Sequence, residues 1–486
     1  MENLTLETLI NNVEKYNKNA EKSIVKAYEL AEYLHRNQLR QSGEPYIIHP
    51  LNVAYMLSEI QADCDTLCAA LLHDTLEDTD ITYKEIKNNF NKEVAKLVDG
   101  VTKISRMNFS TKQEQNNANA RKIIMSLGKD VRIIFIKLID RLHNMRTIQY
   151  KSEFKQKENS LETLKQYVPV ANYVGIYKVK TELEDISFRC LDPYNYQKIE
   201  EQLQRIKEEA NDCIMDMVGT INEILSKRKL SNEIRIETKN IYGIYKRLQS
   251  GHTLDSIHDL ITFKIMIDDI DDCYLLLRPI HENYKSANII KDYICNPKTN
   301  FYQSLHTTVF SKDGRLIQMQ IKTKEMDKIG SFGLTRYWAT EGENAKNIMQ
   351  SDLKNKYQFY SSLKEIDKVF SNDEEFIKHV EKELFSDQVY VFTATGQIIE
   401  LPLGSTLIDF AYKATPELTD NMIGAMVNEE IVPLDYKLKG GDRVKILTNE
   451  KAIGPKTNWE EKAMTTLAKR KIREQIYSKN APTPTL

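Results

Sequence analysis

Apolar residues recur every three or four positions from Glu21 to about Leu191, and few glycines or prolines interrupt this pattern. A period of three to four residues places the apolar side chains on one face of an α-helix. The pattern therefore predicts an all-α domain over residues 1–191.

The pattern changes in the middle of the chain. A helical stretch from Tyr194 to Leu230 is followed by segments in which apolar and polar positions alternate, such as 260–266 and 317–321. Alternation with a period of two is typical of β-strands. Residues 192–350 are therefore predicted to form a mixed α/β domain.

The last part of the chain divides into three segments. We predict a charged helical spacer at 351–385 and a small α+β module at 386–449, where short β-rich runs are separated by glycines. Residues 450–486 are predicted to be a basic helical tail, in which the stretch from Lys451 to Leu486 has eight Lys and Arg against three Glu. A solvated helix face explains this tail more simply than a nucleic-acid contact does.

Composition narrows the class of protein. The chain has 486 residues, of which 41% are hydrophobic and 28% charged, and these fractions are close to globular averages. Its net charge of −2 argues against a nucleic-acid coat or a membrane-surface protein, so any anion site must be local. The acidic start and six scattered cysteines without a CxxC pair indicate a cytoplasmic protein with reduced thiols and no membrane partner.

Three separated segments near the front supply imidazole and carboxylate groups. His49 precedes a proline, His73 and Asp74 follow an apolar run, and Asp140 closes another apolar run. This mixture of nitrogen and oxygen donors suits a divalent ion such as Mn²⁺, Fe²⁺ or Zn²⁺, and four ligands leave positions open for water and substrate. Each histidine taken alone is explained better as an ordinary polar residue at a helix end.

The neighbours of these residues favour the metal hypothesis. On a continuous helix, Glu77 would fall one turn after His73, and Asp78 would fall one turn after Asp74. Surface carboxylates seldom cluster in this way.

The third segment shows a similar clustering. Asp140, Asn144 and Thr147 are spaced at i, i+4 and i+7, which predicts that a carboxylate, an amide and a hydroxyl line one helix face.

These motifs resemble a known family. The segments that carry the resemblance are 35–50, Leu72 to Thr79, Asp99 to Lys103 and Asp140 to Thr147. They are similar, in the same order, to the HD hydrolase domain of the long Rel/Spo homologues, which make and destroy the alarmone (p)ppGpp. The resemblance implies an enzyme that removes the 3′-pyrophosphate from (p)ppGpp, giving GDP or GTP and pyrophosphate, with Mn²⁺ as the usual metal.

The resemblance also implies residue roles. It assigns four metal ligands, two catalytic carboxylates that position and deprotonate the attacking water, and two side chains that bind the substrate. In that order they are His49, His73, Asp74 and Asp140; Glu77 and Asp78; and Arg40 and Asn144. Arg40 lies in a polar turn, where a guanidinium can donate to phosphate oxygens, although a solvated loop arginine explains it equally well without the family.

A second motif spans residues 291–309 and combines cations, amides and an aromatic ring. A purine site needs this mixture, but an ordinary turn into the following strand explains the segment equally well. The segment is similar to the signature of the family's synthetase domain, which transfers pyrophosphate from ATP to the 3′-hydroxyl of GDP or GTP. The candidate nucleotide-binding residues are Lys298, Asn300, Tyr302, Gln303 and His306.

Only part of the synthetase pattern is retained. Asp259 fits the family's metal-binding aspartate, and Lys239 and Lys246 fit its lysines for ATP. Mg²⁺ would bind there only if the synthetase were active.

Two catalytic positions of the synthetase pattern differ. Gln318 replaces the second acidic residue, and its amide has no charge for a metal and cannot accept a proton. Glu237 replaces a phosphate-binding arginine, and its carboxylate would repel a triphosphate. We therefore predict a degenerate synthetase domain that keeps its fold, with a guanine nucleotide as a possible effector.

The module at 386–449 resembles the TGS module that follows in this family, through segments such as Gln388 to Thr393 and Gly424 to Asn428. In ribosome-bound members this module reads the end of an uncharged tRNA through a histidine, and Thr415 stands in its place here. The resemblance therefore gives little support for a tRNA or ribosome partner. We interpret the chain as a shortened member, because it ends soon after this module.

Three functional hypotheses follow. The leading one is a metal-dependent (p)ppGpp pyrophosphohydrolase whose inactive synthetase domain serves as a scaffold or nucleotide sensor. The first alternative is a bifunctional enzyme that also transfers pyrophosphate, and Gln318 and Glu237 discriminate against it. The second alternative is a non-catalytic ribosome or tRNA binder, which the basic tail and the TGS resemblance favour.

Overall fold

The computed structural model describes residues 4–105, 121, 125, 130–230, 233–298, 302–335, 337–338, 347–349, 363, 366–370, 372–384, 388–452, 454–456 and 458–480. The chain divides into two compact units, which are Met1–Met107 with Lys129–Gln350, and Asn108–Gly128 with Ser351–Leu486. Within the described residues, no helix is both long enough and apolar enough to cross a membrane.

The front of the first unit is built from α-helices. Several of them begin at side-chain caps, because Thr5, Asp63 and Asp130 each accept a hydrogen bond from a backbone N–H of the first turn. The helices are α1 (Leu6–Glu14), α2 (Glu21–His35), α3 (Ile48–Glu59), α4 (Cys64–Leu71), α5 (Thr75–Asp78), α6 (Tyr83–Asn89), α7 (Lys92–Ser105), α8 (Val131–Arg146), α9 (Glu153–Glu162), α10 (Val168–Tyr173) and α11 (Tyr177–Leu191).

The break between α4 and α5 corrects one prediction. The sequence pattern predicted a continuous helix through His73 and Glu77, and this is wrong, because α4 ends at Leu71 and α5 begins at Thr75. The Thr75 backbone N–H and hydroxyl donate to the carbonyl oxygen of Leu72 at 3.0 and 2.7 Å. A threonine that bonds the backbone locally in this way competes with the helical pattern.

The rest of the first unit is a mixed α/β region on one long helix, α12 (Pro193–Lys227), which Asp192 caps. Its five-stranded sheet has the order β1-β2-β5-β4-β3, with β2 and β5 parallel and the other neighbours antiparallel. The strands are β1 (Glu233–Thr238), β2 (Ile261–Ile267), β3 (Ser286–Asp292), β4 (Leu305–Phe310) and β5 (Leu316–Thr323), and the helices are α13 (Ile241–Gln249), α14 (Ile270–Leu275), α15 (Leu277–Asn283) and α16 (Lys324–Phe332).

The core of this region lies between the sheet and α12. Phe263 and Met319, on adjacent strands, pack with Met217 and Ile221 of α12 in one buried cluster. Every residue of β2 except Lys264 is buried, as expected for a central strand with both faces covered.

The second unit contains a small β-rich module. Its sheet has the order β7-β6-β10-β8-β9, with β6 and β10 parallel. The strands are β6 (Gln388–Thr393), β7 (Ile398–Pro402), β8 (Met422–Val427), β9 (Glu430–Val432) and β10 (Arg443–Thr448), and the helices are α17 (Asp373–Leu384), α18 (Leu407–Ala414), α19 (Asn458–Lys462) and α20 (Thr466–Asn480). The predicted fold class, with all-α, mixed α/β and small β-rich parts, is therefore confirmed.

Within the first unit, the mixed region packs closely on the helices. Gly333, directly after α16, has a φ of +56°, and a Cβ at this position would overlap the carbonyl oxygen of Val174 and lie 2.7 Å from the carbonyl carbon of Gly175. The Trp338 indole N–H donates to Asp63 Oδ2 at 2.7 Å, and its ring packs edge-on against Phe135 at 5.3 Å. The close approach at position 333 requires glycine.

This approach gives a stability prediction. The substitution Gly333→Ala should destabilise the first unit by about 2–4 kcal/mol, because the strained φ and the backbone overlap both act against it. Gly314 is a matched control, since its φ is +83° but a Cβ at this position would meet nothing within 4 Å. Urea unfolding should show a loss of only about 1 kcal/mol for Gly314→Ala, and equal losses in the two variants would contradict the close approach.

Candidate active site

A buried cluster of imidazoles and carboxylates forms where α3, the turn after α4 and α8 meet. His49 Nε2 lies 3.2 Å from Asp140 Oδ1, and His73 Nε2 lies 3.8 Å from the same oxygen. One donor atom from each of these residues lies within 4.8 Å of the others, and all three residues are at most 5% exposed. The fold thus brings together three groups that are far apart in sequence.

Asp74 lies beside this cluster. Its Oδ2 atom is 3.1 Å from His73 Nε2 and 3.6 Å from His49 Nε2, and its side chain is 17% exposed. All four residues predicted as metal ligands therefore have donor atoms around one small volume, and Asp74 is on its more open side.

The donor set fits a divalent cation. His73 Nδ1 lies 2.8 Å from the carbonyl oxygen of Ala70, so it donates there, and Nε2 is buried without a well-formed hydrogen bond. A cation that displaces the Nε2 proton would find the lone pair directed at it. Ligands about 2.1 Å from one ion lie roughly 3.0 to 3.4 Å apart in octahedral or tetrahedral geometry, close to the separations seen here. A buried, orphaned imidazole nitrogen facing carboxylates is what a metal ligand requires.

The charges in the cluster depend on one another. Burial opposes a charge on His73, but Asp74 and Asp140 raise the pKa of this imidazole to about 10. Burial also opposes a charge on Asp140, yet Lys137, His49 and His73 hold the pKa of its carboxyl well below the usual value. The carboxylates therefore stay ionised inside the helical region.

Asp140 has partners on both oxygens. Lys137 Nζ donates to Oδ2 at 2.9 Å, and Asn144 Nδ2 donates to Oδ1 at 2.6 Å. The predicted face of α8 is thus present, with Asn144 one turn after Asp140. Lys137 was not predicted, although its place one turn before Asp140 on the same helix was a usable signal.

Tyr46 connects the cluster to the carboxylates of α5. Its hydroxyl donates to Asp74 Oδ2 at 2.8 Å and lies 3.4 Å from Asp78 Oδ2. Burial and the neighbouring Asp74 raise the pKa of Asp78. Glu77 is exposed in the same short helix. Tyr46 was not among the predicted residues, because a tyrosine in a loop carries no metal-ligand signal.

The two residues predicted to bind substrate lie together. Arg40 Nη2 donates to Asn144 Oδ1 at 3.0 Å and lies 3.4 Å from Thr147 Oγ1. Because Asn144 also donates to Asp140, the guanidinium is linked to the cluster of histidines and aspartates through one amide. The remaining donors of Arg40 are thereby oriented at the edge of the cluster.

A third histidine also contacts the cluster and was missed. His143 Nδ1 lies 2.8 Å from His49 Nδ1. Burial, with smaller contributions from His49 and Arg40, lowers the pKa of His143 to about 3, so its ring is neutral. No sequence signal distinguishes it from an ordinary core histidine.

The cations predicted to bind ATP in the mixed region are each paired with a carboxylate. Lys239 forms an ion pair with Asp259, and Lys246 Nζ lies 3.1 Å from Glu184 Oε1 of α11. Glu237 is the acceptor for a third cation, since Lys264 Nζ lies 2.6 Å from its Oε2.

The predicted guanine-binding segment contacts the start of β4, the turn after β3 and α16. The Tyr302 hydroxyl lies 2.7 Å from His306 Nε2, and a Cβ on Gly330 would lie 3.1 Å from the Tyr302 ring. Gln303 Nε2 donates to the carbonyl oxygen of Ile294 at 3.3 Å, and Lys298 Nζ lies 4.8 Å from the Tyr293 ring centre. Asn300 lies outside the described residues.

Gln318, the proposed substitute for a catalytic carboxylate, lies in the middle of the sheet. It pairs with Thr262 and Thr308 on the neighbouring strands, and its Oε1 accepts a hydrogen bond from Gln320 at 3.0 Å. In the described part of the chain, the only group of three or more histidine, cysteine or acidic side chains arranged for a metal is His49, His73 and Asp140.

Comparison with protein families gives three matches. Residues 27–177 match the HD domain, residues 236–345 match the region found in RelA/SpoT proteins, and residues 389–448 match the TGS domain.

Three curated relatives are similar over 93 to 94% of the chain. They are a GTP pyrophosphokinase of Myxococcus xanthus (40% identical), a guanosine-3′,5′-bis(diphosphate) 3′-pyrophosphohydrolase of Aquifex aeolicus (38%) and the bifunctional (p)ppGpp synthase/hydrolase SpoT of Escherichia coli (37%). The chain spans 60, 64 and 65% of their respective lengths.

His306 gives a prediction about acid stability. Burial, followed by Lys322 and Lys298, lowers its pKa to about 3. The His306 side chain takes up a proton near pH 6.5 in the unfolded chain but not in the folded chain. Its contribution to the free energy of unfolding is therefore fully present above pH 6.5 and is lost as the pH falls toward 3. When the pH is lowered from 7 to 5, the free energy of unfolding should therefore fall by about 1–2 kcal/mol less in His306→Gln than in the wild type.

Urea unfolding at both pH values measures this difference. The exposed His252 lies in the same region, and His252→Gln is the control that should follow the wild type. An equal pH dependence of His306→Gln and wild type would contradict the buried, neutral ring.

Proposed function

We propose that the chain is a member of the RelA/SpoT family and that its helical domain hydrolyses (p)ppGpp, releasing the 3′-pyrophosphate. The observation that carries the proposal is the buried cluster of His49, His73 and Asp140, with Asp74 beside it. Relatives named as pyrophosphohydrolases and as a bifunctional synthase/hydrolase support the same reaction. The products would be GDP or GTP and pyrophosphate.

The four ligands would hold a divalent ion, for which Mn²⁺ is our candidate. Their imidazole nitrogens and carboxylate oxygens suit a borderline or hard cation of this type. When bound, the ion supplies Lewis acidity toward water and toward a phosphate oxygen.

Side chains around the cluster would supply the rest of the chemistry. We assign Asp78, with Glu77 in the same helix, to accept the proton of the attacking water, and the raised pKa of Asp78 suits a general base. Tyr46 would orient Asp78 and Asp74 through its hydroxyl. Arg40 would donate to phosphate oxygens, because Asn144 fixes its guanidinium beside the cluster.

Water would attack the phosphorus atom that is bonded to the ribose 3′-oxygen. The bond between that oxygen and phosphorus would break, and the 3′-oxygen would take up a proton as pyrophosphate leaves. The proton that Asp78 accepts and the proton that the 3′-oxygen needs balance over the turnover.

We further propose that the mixed region does not transfer pyrophosphate and acts as a scaffold or a guanine-nucleotide sensor. Gln318 provides no charge for Mg²⁺, and the two lysines predicted to bind ATP, Lys239 and Lys246, are each paired with a carboxylate. The Tyr302 ring packs against Gly330 rather than standing free for a base.

The division into domains is part of the proposal. It comprises a hydrolase domain at 1–191, a synthetase-like domain at 192–350, a helical spacer at 351–385, a TGS domain at 386–449 and a basic tail at 450–486. The three family matches fall inside the first, second and fourth segments.

A bifunctional enzyme is the second candidate. Two of the relatives are named as a GTP pyrophosphokinase and a bifunctional synthase/hydrolase, and Asp259 and Lys239 are retained. A non-catalytic ribosome or tRNA binder has less support, because this hypothesis assigns no role to the buried cluster of His49, His73 and Asp140.

The hydrolase proposal predicts the effect of removing one ligand. Asp74→Asn should lower the rate of pyrophosphate release from ppGpp with Mn²⁺ by more than about 100-fold, because loss of an outer partner alone typically costs 10 to 100-fold. The matched control is Asp80→Asn, which changes an exposed carboxylate six positions later. Chromatography of products, with and without a chelator, measures both.

A wild-type rate in Asp74→Asn, or full activity in the presence of chelator, would overturn the assigned site. A wild-type rate in the control is required for the comparison.

The synthetase proposal predicts no ppGpp when the protein is incubated with Mg²⁺, ATP and GDP. Gln318→Glu alone should not restore synthesis, because Glu237 still occupies the arginine position and pairs with Lys264. A double variant with Glu237→Arg tests the same idea further. Clear synthesis by the unmodified protein would favour the bifunctional enzyme.

A further inference from the structure

His143 is a buried histidine outside the proposed ligand set, and it contacts one of the ligands directly. Its Nδ1 atom lies 2.8 Å from His49 Nδ1, the ring centres are 4.9 Å apart, and the two residues are 9% and 1% exposed. It is located on α8, three positions after Asp140. Two rings from different helices thus share one short nitrogen-to-nitrogen contact.

This contact must contain one proton. A neutral imidazole has one N–H donor and one lone-pair acceptor, so two Nδ1 atoms at hydrogen-bond distance require one ring to donate and the other to accept. Two arrangements are possible, and they differ in which nitrogen of His49 carries a lone pair.

The other face of His49 selects between them. Its Nε2 points at Asp140 Oδ1 and Asp74 Oδ2, at 3.2 and 3.6 Å. A cation between these groups needs the lone pair on Nε2, which places the His49 proton on Nδ1. His143 Nδ1 must then be the acceptor, with its own proton on Nε2.

His73 shows the same arrangement with a different partner. Its Nδ1 donates to the carbonyl oxygen of Ala70 at 2.8 Å, and its Nε2 faces the carboxylates. A carbonyl can only accept, so it fixes the tautomer unconditionally. For His49 that task falls to a side chain that accepts only in one tautomer.

We propose that His143 is a positioning residue that accepts the Nδ1 proton of His49 and so directs the Nε2 lone pair into the cation site. This inference rests on the proposed metal site and adds a partner outside its ligand set. Such outer partners raise ligand basicity and hold the ring in place, and their loss typically weakens metal binding 10 to 100-fold.

The test compares two substitutions by their affinity for Mn²⁺ alone. Electron paramagnetic resonance of free Mn²⁺, titrated with the metal-free full chain, gives the dissociation constant without any substrate. His143→Leu removes the acceptor and should weaken binding about 10 to 100-fold. His143→Asn keeps a carbonyl oxygen close to the Nδ1 position and should restore most of the affinity.

His281→Leu is the matched control. It removes another histidine that makes one side-chain hydrogen bond, to Thr307 Oγ1 at 2.8 Å in the mixed region. Its Mn²⁺ affinity should equal that of the wild type. Wild-type affinity in His143→Leu, or equal weakening in the leucine and asparagine variants, would overturn the role of the acceptor.

A second measurement does not depend on a variant that folds. In Zn²⁺-loaded wild-type protein with ¹⁵N-labelled histidine, the nitrogen shifts should show His49 protonated on Nδ1 and His143 protonated on Nε2. A proton on His143 Nδ1 would overturn the proposal. Failure of the wild type to bind either metal would instead reject the metal site, so the two failures are distinguishable.

Discussion

The arrangement of the helical domain depends on keeping a buried carboxylate ionised. Asp140 is 5% exposed, and an unpaired charge in such a position costs several kcal/mol. Lys137, Asn144 and two imidazoles surround it, and each comes from a position that the helices fix. The same contacts that stabilise the carboxylate leave donor atoms directed at one point. Stability and a cation site therefore have a common physical origin here.

Ion pairs with carboxylates also occur in the mixed region. Lys239 pairs with Asp259, Lys246 shares Glu184 with Lys180, and Lys264 lies within ion-pair distance of both Glu237 and Asp327. Each of these lysines therefore has a carboxylate within ion-pair distance, and the charges of the two groups offset each other. In the helical domain, Asp74 and Asp140 both lie beside the same two imidazoles. This excess of negative charge favours the binding of a cation.

Much of the fold was accessible from the sequence, because helical and strand periods are local properties. The clustering of His49, His73 and Asp140 was predicted from their neighbours and from the family resemblance, because each histidine taken alone is explained as well by an ordinary helix end. The break before Thr75 was not predictable from the spacing of apolar residues, because it accompanies one local hydrogen bond, from the Thr75 hydroxyl to the carbonyl oxygen of Leu72. Partners such as His143 were missed because only the folded chain brings α3 and α8 together.

The packing between the two parts of the first unit connects the mixed region to helices that carry or precede residues of the buried cluster. Trp338 donates to Asp63, the residue that caps α4, and packs on Phe135 of α8. His73 follows the other end of α4, and Asp140 lies on α8 with Phe135, so removing this contact should loosen two of the helices that position the cluster. Gly333 permits the approach that places Trp338 there. The helical domain therefore depends on the mixed region for part of the packing around α4 and α8.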